Sequence, residues 1–239
     1  MLVKLKYPIL YLGQSNANQS CLFAAKMLKI YFTAIQQMPP PTSVEASFNM
    51  LPSSIRDSIA AYTNPFDQVL QLSSKLLLQK LVEYFDVTQL VRLDDLTVSK
   101  TGQPYFNKAL YFSNTRSGNI AASVGSTVSP VGIDVEKITS IDLANYQEYF
   151  TLNEWAHITQ SPNQTETFFT LWTRKEAVAK AAGVGLFANL ASFEVLSNPC
   201  IFNQATYHVT NVPMMGGYVC QVATTLENPI IEVTEIALF

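Results

Sequence analysis

The stretch "VGIDVEK" at residues 131–137 alternates apolar and polar positions, as a strand with one buried face does. Successive side chains of a strand point to opposite faces. Val131, Ile133 and Val135 therefore face a core, while Gly132, Asp134 and Glu136 face the other way. Two carboxylates then stand side by side. Like charges at that spacing raise each other's pKa unless a cation lies between them. By itself the segment is either the solvated polar face of an edge strand or half of a cation site.

A second charged segment, "LWTRKEAVAK", occupies residues 171–180. Upstream, Ser161 reads as an N-cap, Pro162 as the first helical residue and Gln164 as N3; Gly183 reads as the stop. In the helix so defined, Trp172, Glu176 and Lys180 recur every four residues and share a face. Glu176 ahead of Lys180 is the favourable order for an ordinary surface ion pair. The large Trp172 on the same stripe argues that the face is partly covered.

These segments stand out because the chain of 239 residues is poor in charge, with 14% charged and 48% hydrophobic residues. That composition supports a sizeable core, in one large domain or two small ones, and excludes disorder. A net charge of −3 with no basic stripe argues against a nucleic-acid partner. Cys21, Cys200 and Cys220 form no CxxC pair and read as buried, reduced thiols. His157 and His208 lie near no cysteine or Gly-flanked serine, which argues against Ser/His/Asp or Cys/His catalysis. "YPILYLG" at 7–13 follows two lysines as a secretory signal would, but it is short and contains Pro8, so it reads as strand. No apolar run approaches the ~20 residues of a membrane span. The expectation is a soluble, cytoplasmic protein.

Along the chain, "LVKLKYPILYL" at 2–12 reads as a strand and "CLFAAKMLKIYFTAIQQM" at 21–38 as a helix ended by "PPPT". Residues 64–85 form an amphipathic helix, and "VRLDDLTVSKTGQPYF" a strand and turn around Gly102. Residues 119–138 are β-like with turns at Gly125 and Pro130, 142–157 are helical, and strands dominate from about 190. Helices and strands mix without a βαβ rhythm, which gives α+β with largely antiparallel sheets.

The two charged segments together resemble the signature of the 4′-phosphopantetheinyl transferases of the surfactin-synthetase-activating (Sfp) type. That signature is G-[IV]-D-x-E followed, after a gap, by [FW]-[SCT]-x-K-E-[SA]-x-x-K. Gly132, Asp134 and Glu136 match the first part; Trp172, Lys175, Glu176 and Lys180 match the second, with Glu176 42 positions after Asp134. The likeness reaches back to about residue 50. "SSKLLLQKL" at 73–81 resembles a family helix, and "TGQPYFN" at 101–107 resembles its G-K-P turn.

The resemblance implies a pseudo-dimer of two similar α+β halves, divided near 126–130 into residues 1–128 and 129–239, and monomeric. It implies transfer of the phosphopantetheine arm of coenzyme A onto a serine of an apo acyl, polyketide or peptidyl carrier protein, releasing adenosine 3′,5′-bisphosphate. Asp134, Glu136 and Glu176 would hold Mg²⁺, or Mn²⁺ in its place. Glu176 would also serve as base, and Lys180 would meet the pyrophosphate. Lys175, Arg116 and Lys75 would contact phosphates of coenzyme A, and Gln103 and Pro104 its nucleoside end. Two positions depart from the family pattern. Arg116 stands in "NTRSG" where a Ser-His-Ser turn is usual, so a cation is kept but a proton shuttle is not. Gln103 replaces the lysine of the G-K-P turn. Two other readings stay open: a non-catalytic carrier-binding module of the same fold, and an unrelated Mg²⁺-dependent phosphohydrolase.

Overall fold

The computed structural model describes residues 26–85, 90–107, 109–185 and 189–239. The strand expected at 2–12 and Cys21 lie outside them. Two four-stranded sheets carry the fold. The first contains β1 (Met27–Ala34), β4 (Tyr111–Ser117) and β5 (Ile120–Ser126), and the second contains β6 (Val131–Lys137), β8 (Ala205–Asn211) and β9 (Tyr218–Thr224). In each half a strand is followed by a helical stretch and then a hairpin, and the first strand pairs antiparallel with the last. The layout is α+β, and the same local topology occurs twice. β7 (Cys200–Phe202) extends the second sheet. β10 (Ile230–Glu235) extends the first, pairing with β1 in parallel. The Ser126–Pro130 connection thus separates the two sheets in sequence, except that residues 230–235 cross back into the first. A two-stranded ribbon, β2 (Thr97–Val98) with β3 (Pro104–Tyr105), frames the turn at Gly102.

Each sheet has one face on a helix and the other on its counterpart. Leu28, Ile30, Ile120 and Val124 of the first sheet share a core with Ile133, Val135 and Val222 of the second. The outer face of the first is covered by α3 (Pro65–Tyr84), which follows α1 (Pro41–Asn49) and α2 (Ser53–Ala60). Asn64 caps α3 by accepting from the Phe66 N–H at 2.8 Å. The outer face of the second sheet is covered by α5 (Gln164–Ala181), reached through α4 (Leu152–Thr159).

Several sequence expectations change. The helix expected over 21–38 is not formed among the described residues: Met27–Ala34 is β1. Leu28, Ile30 and Phe32 alternate into the inter-sheet core, and pairing on both edges by β5 and β10 overrides the helix-forming Ala, Leu and Met content. Gly125 lies within β5, not in a turn. The cap of α5 is Asn163, whose side chain accepts from the Glu166 N–H at 3.4 Å, two residues beyond the expected Ser161. Ser161 instead bonds Thr167 across the entry turn at 2.7 Å. The stop at Gly183 is as read: with φ of +73° it closes α5, its N–H donating to Lys180 O and that of Val184 to Ala179 O.

Candidate active site

The alternation in β6 sends Asp134 and Glu136 toward α5, and Gly132 explains how close the helix comes. A Cβ at residue 132 would lie 2.0 Å from Ala177 O and 2.5 Å from Ala181 N. The room beside the carboxylates is therefore filled by the backbone of α5, which brings Lys180 down onto Asp134. Lys180 Nζ is 2.6 Å from Asp134 Oδ1 and donates to Ile133 O at 3.1 Å. Thr115 Oγ1 donates to the same Oδ1 at 3.0 Å, and Asp134 Oδ2 is buried with no partner among the described residues. Ser117 Oγ donates to Glu136 Oε2 at 2.6 Å.

Electrostatics tie the group together. Burial raises the Asp134 carboxyl, opposed by Lys180 and the Thr115 hydrogen bond. Burial, with repulsion from Asp134 and Glu176, pushes Glu136 up to about 7 against the pull of Ser117 and Lys180. Glu176 is raised by burial and by Asp134, with Lys180 opposing. Burial would lower Lys180, but Asp134, Glu176 and Glu136 outweigh it and hold the ammonium above its ordinary range.

Glu176 and Lys180 line a cavity of about 370 Å³ together with Gln103, Pro104 and Asn114. Trp172 forms part of its wall with Tyr146 and Tyr149, both of which pack edge-on against the indole. Gln103 Nε2 donates to Lys180 O at 2.8 Å, so this residue also ties the ribbon turn to the end of α5. Its Oε1 is buried without a partner among the described residues. Glu136 opens into an adjoining cavity that shares Tyr146 and Trp172.

Three expected site residues stand elsewhere. Lys175 is corrected: it is wholly buried, paired with Glu154 at 2.7 Å, and donates to Leu190 O and Phe193 O. Adjacent helical residues point about 100° apart, so Lys175 turns into the core of the second half while Glu176 faces the cavity. Arg116 and Lys75 line neither cavity; Arg116 turns to residues of the first half, and Lys75 is buried in α3. Arg116 donates to Gln71 and, at 3.4 Å, to the Tyr62 hydroxyl. Burial and the adjacent Arg116 lower the Lys75 ammonium. "NTRS" is strand, and only Gly118 and Asn119 turn.

Among the described residues no three of His, Cys, Asp and Glu stand close enough to enclose a metal ion. The donor set nevertheless fits a hard divalent cation. It offers only oxygens, one of them orphaned on Asp134, and Mg²⁺ is commonly held by one or two carboxylates plus substrate phosphates.

Residues 130–223, which contain β6, α5 and the cavity's carboxylates, match the family model of the 4′-phosphopantetheinyl transferase superfamily. That stretch of the chain is similar to the superfamily. The 4′-phosphopantetheinyl transferase gsp of Aneurinibacillus migulanus is 29% identical over 160 residues, 63% of this chain and 65% of that one. The L-aminoadipate-semialdehyde dehydrogenase-phosphopantetheinyl transferase of Schizosaccharomyces pombe is 31% identical over 163 residues, 60% of this chain and 63% of that one. The chain thus covers less than two thirds of the length of either relative. The 4′-phosphopantetheinyl transferase Sfp of Bacillus subtilis is 37% identical over 68 residues, 28% of this chain and 30% of that one.

Around the matched stretch, sequence reasoning missed Thr115, Ser117 and Asn114. Ser113, Thr115 and Ser117 alternate with non-hydroxyl residues, a period of two that marks one face of a strand and was legible. No described helix is long and apolar enough to cross a membrane.

Proposed function

We propose that the chain transfers the 4′-phosphopantetheine arm of coenzyme A onto a serine of an apo carrier protein and releases adenosine 3′,5′-bisphosphate. One observation carries the reading. Two segments whose residues Asp134 and Glu176 stand 42 positions apart meet, so that Asp134, Glu136, Glu176 and Lys180 form one interacting charged group beside an aromatic-walled cavity. The relatives' names support the same activity.

In this reading coenzyme A occupies the cavity. Lys180, ion-paired with Asp134, meets the pyrophosphate as a point charge. Asp134, Glu136 and Glu176 would hold Mg²⁺, which would supply positive charge to the pyrophosphate. Glu176 accepts the serine proton as the serine oxygen bonds to the phosphorus nearer the pantetheine and the bond to the bridging oxygen breaks. Arg116 and Lys75, without a carboxylate partner among the described residues, meet a terminal phosphate of coenzyme A. We take residues 1–128 and 129–239 as the two halves, joined by the return of residues 230–235.

The test is to incubate the protein with coenzyme A, Mg²⁺ and a panel of apo fatty-acid, polyketide and peptide carriers, and then weigh each carrier. A gain of one phosphopantetheine on any of them is expected. No gain on every carrier leaves a binding module, and coenzyme A cleavage without a carrier leaves a phosphohydrolase.

A further inference from the structure

β4 and β6 run side by side without forming a backbone ladder. What joins them is a row of hydroxyls. Ser113 Oγ accepts from the Ile133 N–H at 3.3 Å, Thr115 Oγ1 from Val135 at 3.1 Å and Ser117 Oγ from Lys137 at 3.0 Å. Each hydroxyl accepts from the residue 20 positions ahead. A hydroxyl has one proton and two lone pairs, so an oxygen already accepting from a fixed N–H has its proton free for another group.

For two of the three rungs that group is a carboxylate 19 positions ahead. Thr115 donates to Asp134 at 3.0 Å and Ser117 to Glu136 at 2.6 Å. The third rung, Ser113, faces residue 132, where the close approach of α5 leaves room only for glycine. The donors therefore coincide with the two acidic positions of β6. In each carboxylate one oxygen is occupied. For Asp134 the other is buried and unpartnered among the described residues.

We infer that Thr115 and Ser117 are positioning residues: their hydroxyls lock one oxygen of Asp134 and of Glu136, so that the other oxygen of each is presented to a divalent cation. The inference rests on the proposed transferase reading for its use, but not for its measurement. Outer hydrogen-bond partners of metal-binding carboxylates typically change metal affinity by about 10–100-fold.

The experiment is a Mn²⁺ titration of the full chain with coenzyme A present, following free Mn²⁺ by its paramagnetic resonance, alongside single-turnover transfer and urea denaturation. Thr115→Val, which keeps the shape, and Ser117→Ala are expected to weaken Mn²⁺ binding about tenfold or more. Thr115→Ser is expected to restore it, which a merely space-filling role would not do. If Thr115→Val does not fold, Ser117→Ala, at the partly exposed end of the row, decides the same question on Glu136. Wild-type Mn²⁺ affinity in every folded hydroxyl-deleted variant overturns the inference. Wild-type protein that binds Mn²⁺ yet loads no carrier overturns the transferase reading alone, and weaker binding by the variants would then still support the hydroxyl role. Wild-type protein that binds no Mn²⁺ overturns both.

Discussion

Helix α5 carries two lysines, each on a carboxylate, and the two pairs have opposite characters. Lys175 and Glu154 are both wholly buried. All three ammonium protons are used, on Glu154, Leu190 O and Phe193 O. Glu154 in turn accepts from the N–H groups of Val195 and Thr151. Lys180 and Asp134 are incompletely satisfied: Lys180 remains 26% exposed at a cavity and Asp134 keeps an orphaned oxygen. A saturated pair has nothing left to offer a ligand, so it holds the fold. An unsaturated pair beside a cavity is held by the fold for something else. Both lysines match the family pattern, and only their surroundings tell them apart.

The sharpest way to break this contrast is to remove one partner from each pair. Glu154→Gln leaves a buried ammonium without its counter-charge and is expected to cost about 3–5 kcal/mol, read as a fall in the urea midpoint. The double change Glu154→Leu with Lys175→Met should recover most of that loss. Lys180→Met should cost less than about 1.5 kcal/mol, because Asp134 can take a proton instead, yet abolish transfer. Equal stability losses at the two sites would erase the distinction.

A second change separates the two roles of Glu176. Glu176→Gln should fold normally and bind coenzyme A but transfer about 10²–10⁴-fold more slowly in a single turnover at saturating Mn²⁺. Full rescue by the metal would leave Glu176 a ligand only. Third, Gly132→Ala forces β6 and α5 apart and should cost about 1–3 kcal/mol, with transfer impaired beyond the loss of folded protein. Transfer unaffected per folded molecule would mean that the close approach does not set the Lys180–Asp134 contact.

The smallest expected effect lies at the first sheet, where Tyr84 donates to Glu232 at 2.8 Å and Lys29 contacts the same carboxylate at 2.5 Å. Tyr84→Phe should cost about 1 kcal/mol. Burial, with the hydrogen bond to Glu232, pushes the Tyr84 hydroxyl up to about 12, above its unfolded value. Its stabilisation is therefore complete below the unfolded tyrosine pKa and lost as pH rises through about 12. Lys29 and Tyr84 hold Glu232 below its ordinary value despite burial, so that contribution is present above the unfolded glutamate pKa and lost as pH falls through the folded one. Midpoints measured across pH should show both losses, with the alkaline one reduced in Tyr84→Phe.

The site was legible where local periodicity decides direction. Alternation in β6 put Asp134 and Glu136 on one face, and the four-residue repeat put Trp172, Glu176 and Lys180 on one stripe. It was illegible where a distant partner decides. Glu154 draws Lys175 inward from another helix, although its capping box with Thr151 was readable in "TLNE". Met27–Ala34 is strand because β5 and β10 supply its edges, and neither is near it in sequence. Gly132 reads as open space until the backbone that fills it is seen.

The parallel pairing of β1 with β10 has a consequence for how the chain assembles. Met27 finds Ile230 only after the whole second half has been synthesised. Until then β1 carries an unpaired edge beside a hydrophobic face, the kind of template on which nascent chains misassociate. The first half therefore cannot finish as an independent folding unit. Its closing contacts are among the most non-local in the molecule, and such contacts slow folding because a long loop must close before they form. Separating the halves at residue 128 would take a strand from one of them, and mixing the two pieces should restore a native sheet only if the second brings that strand back.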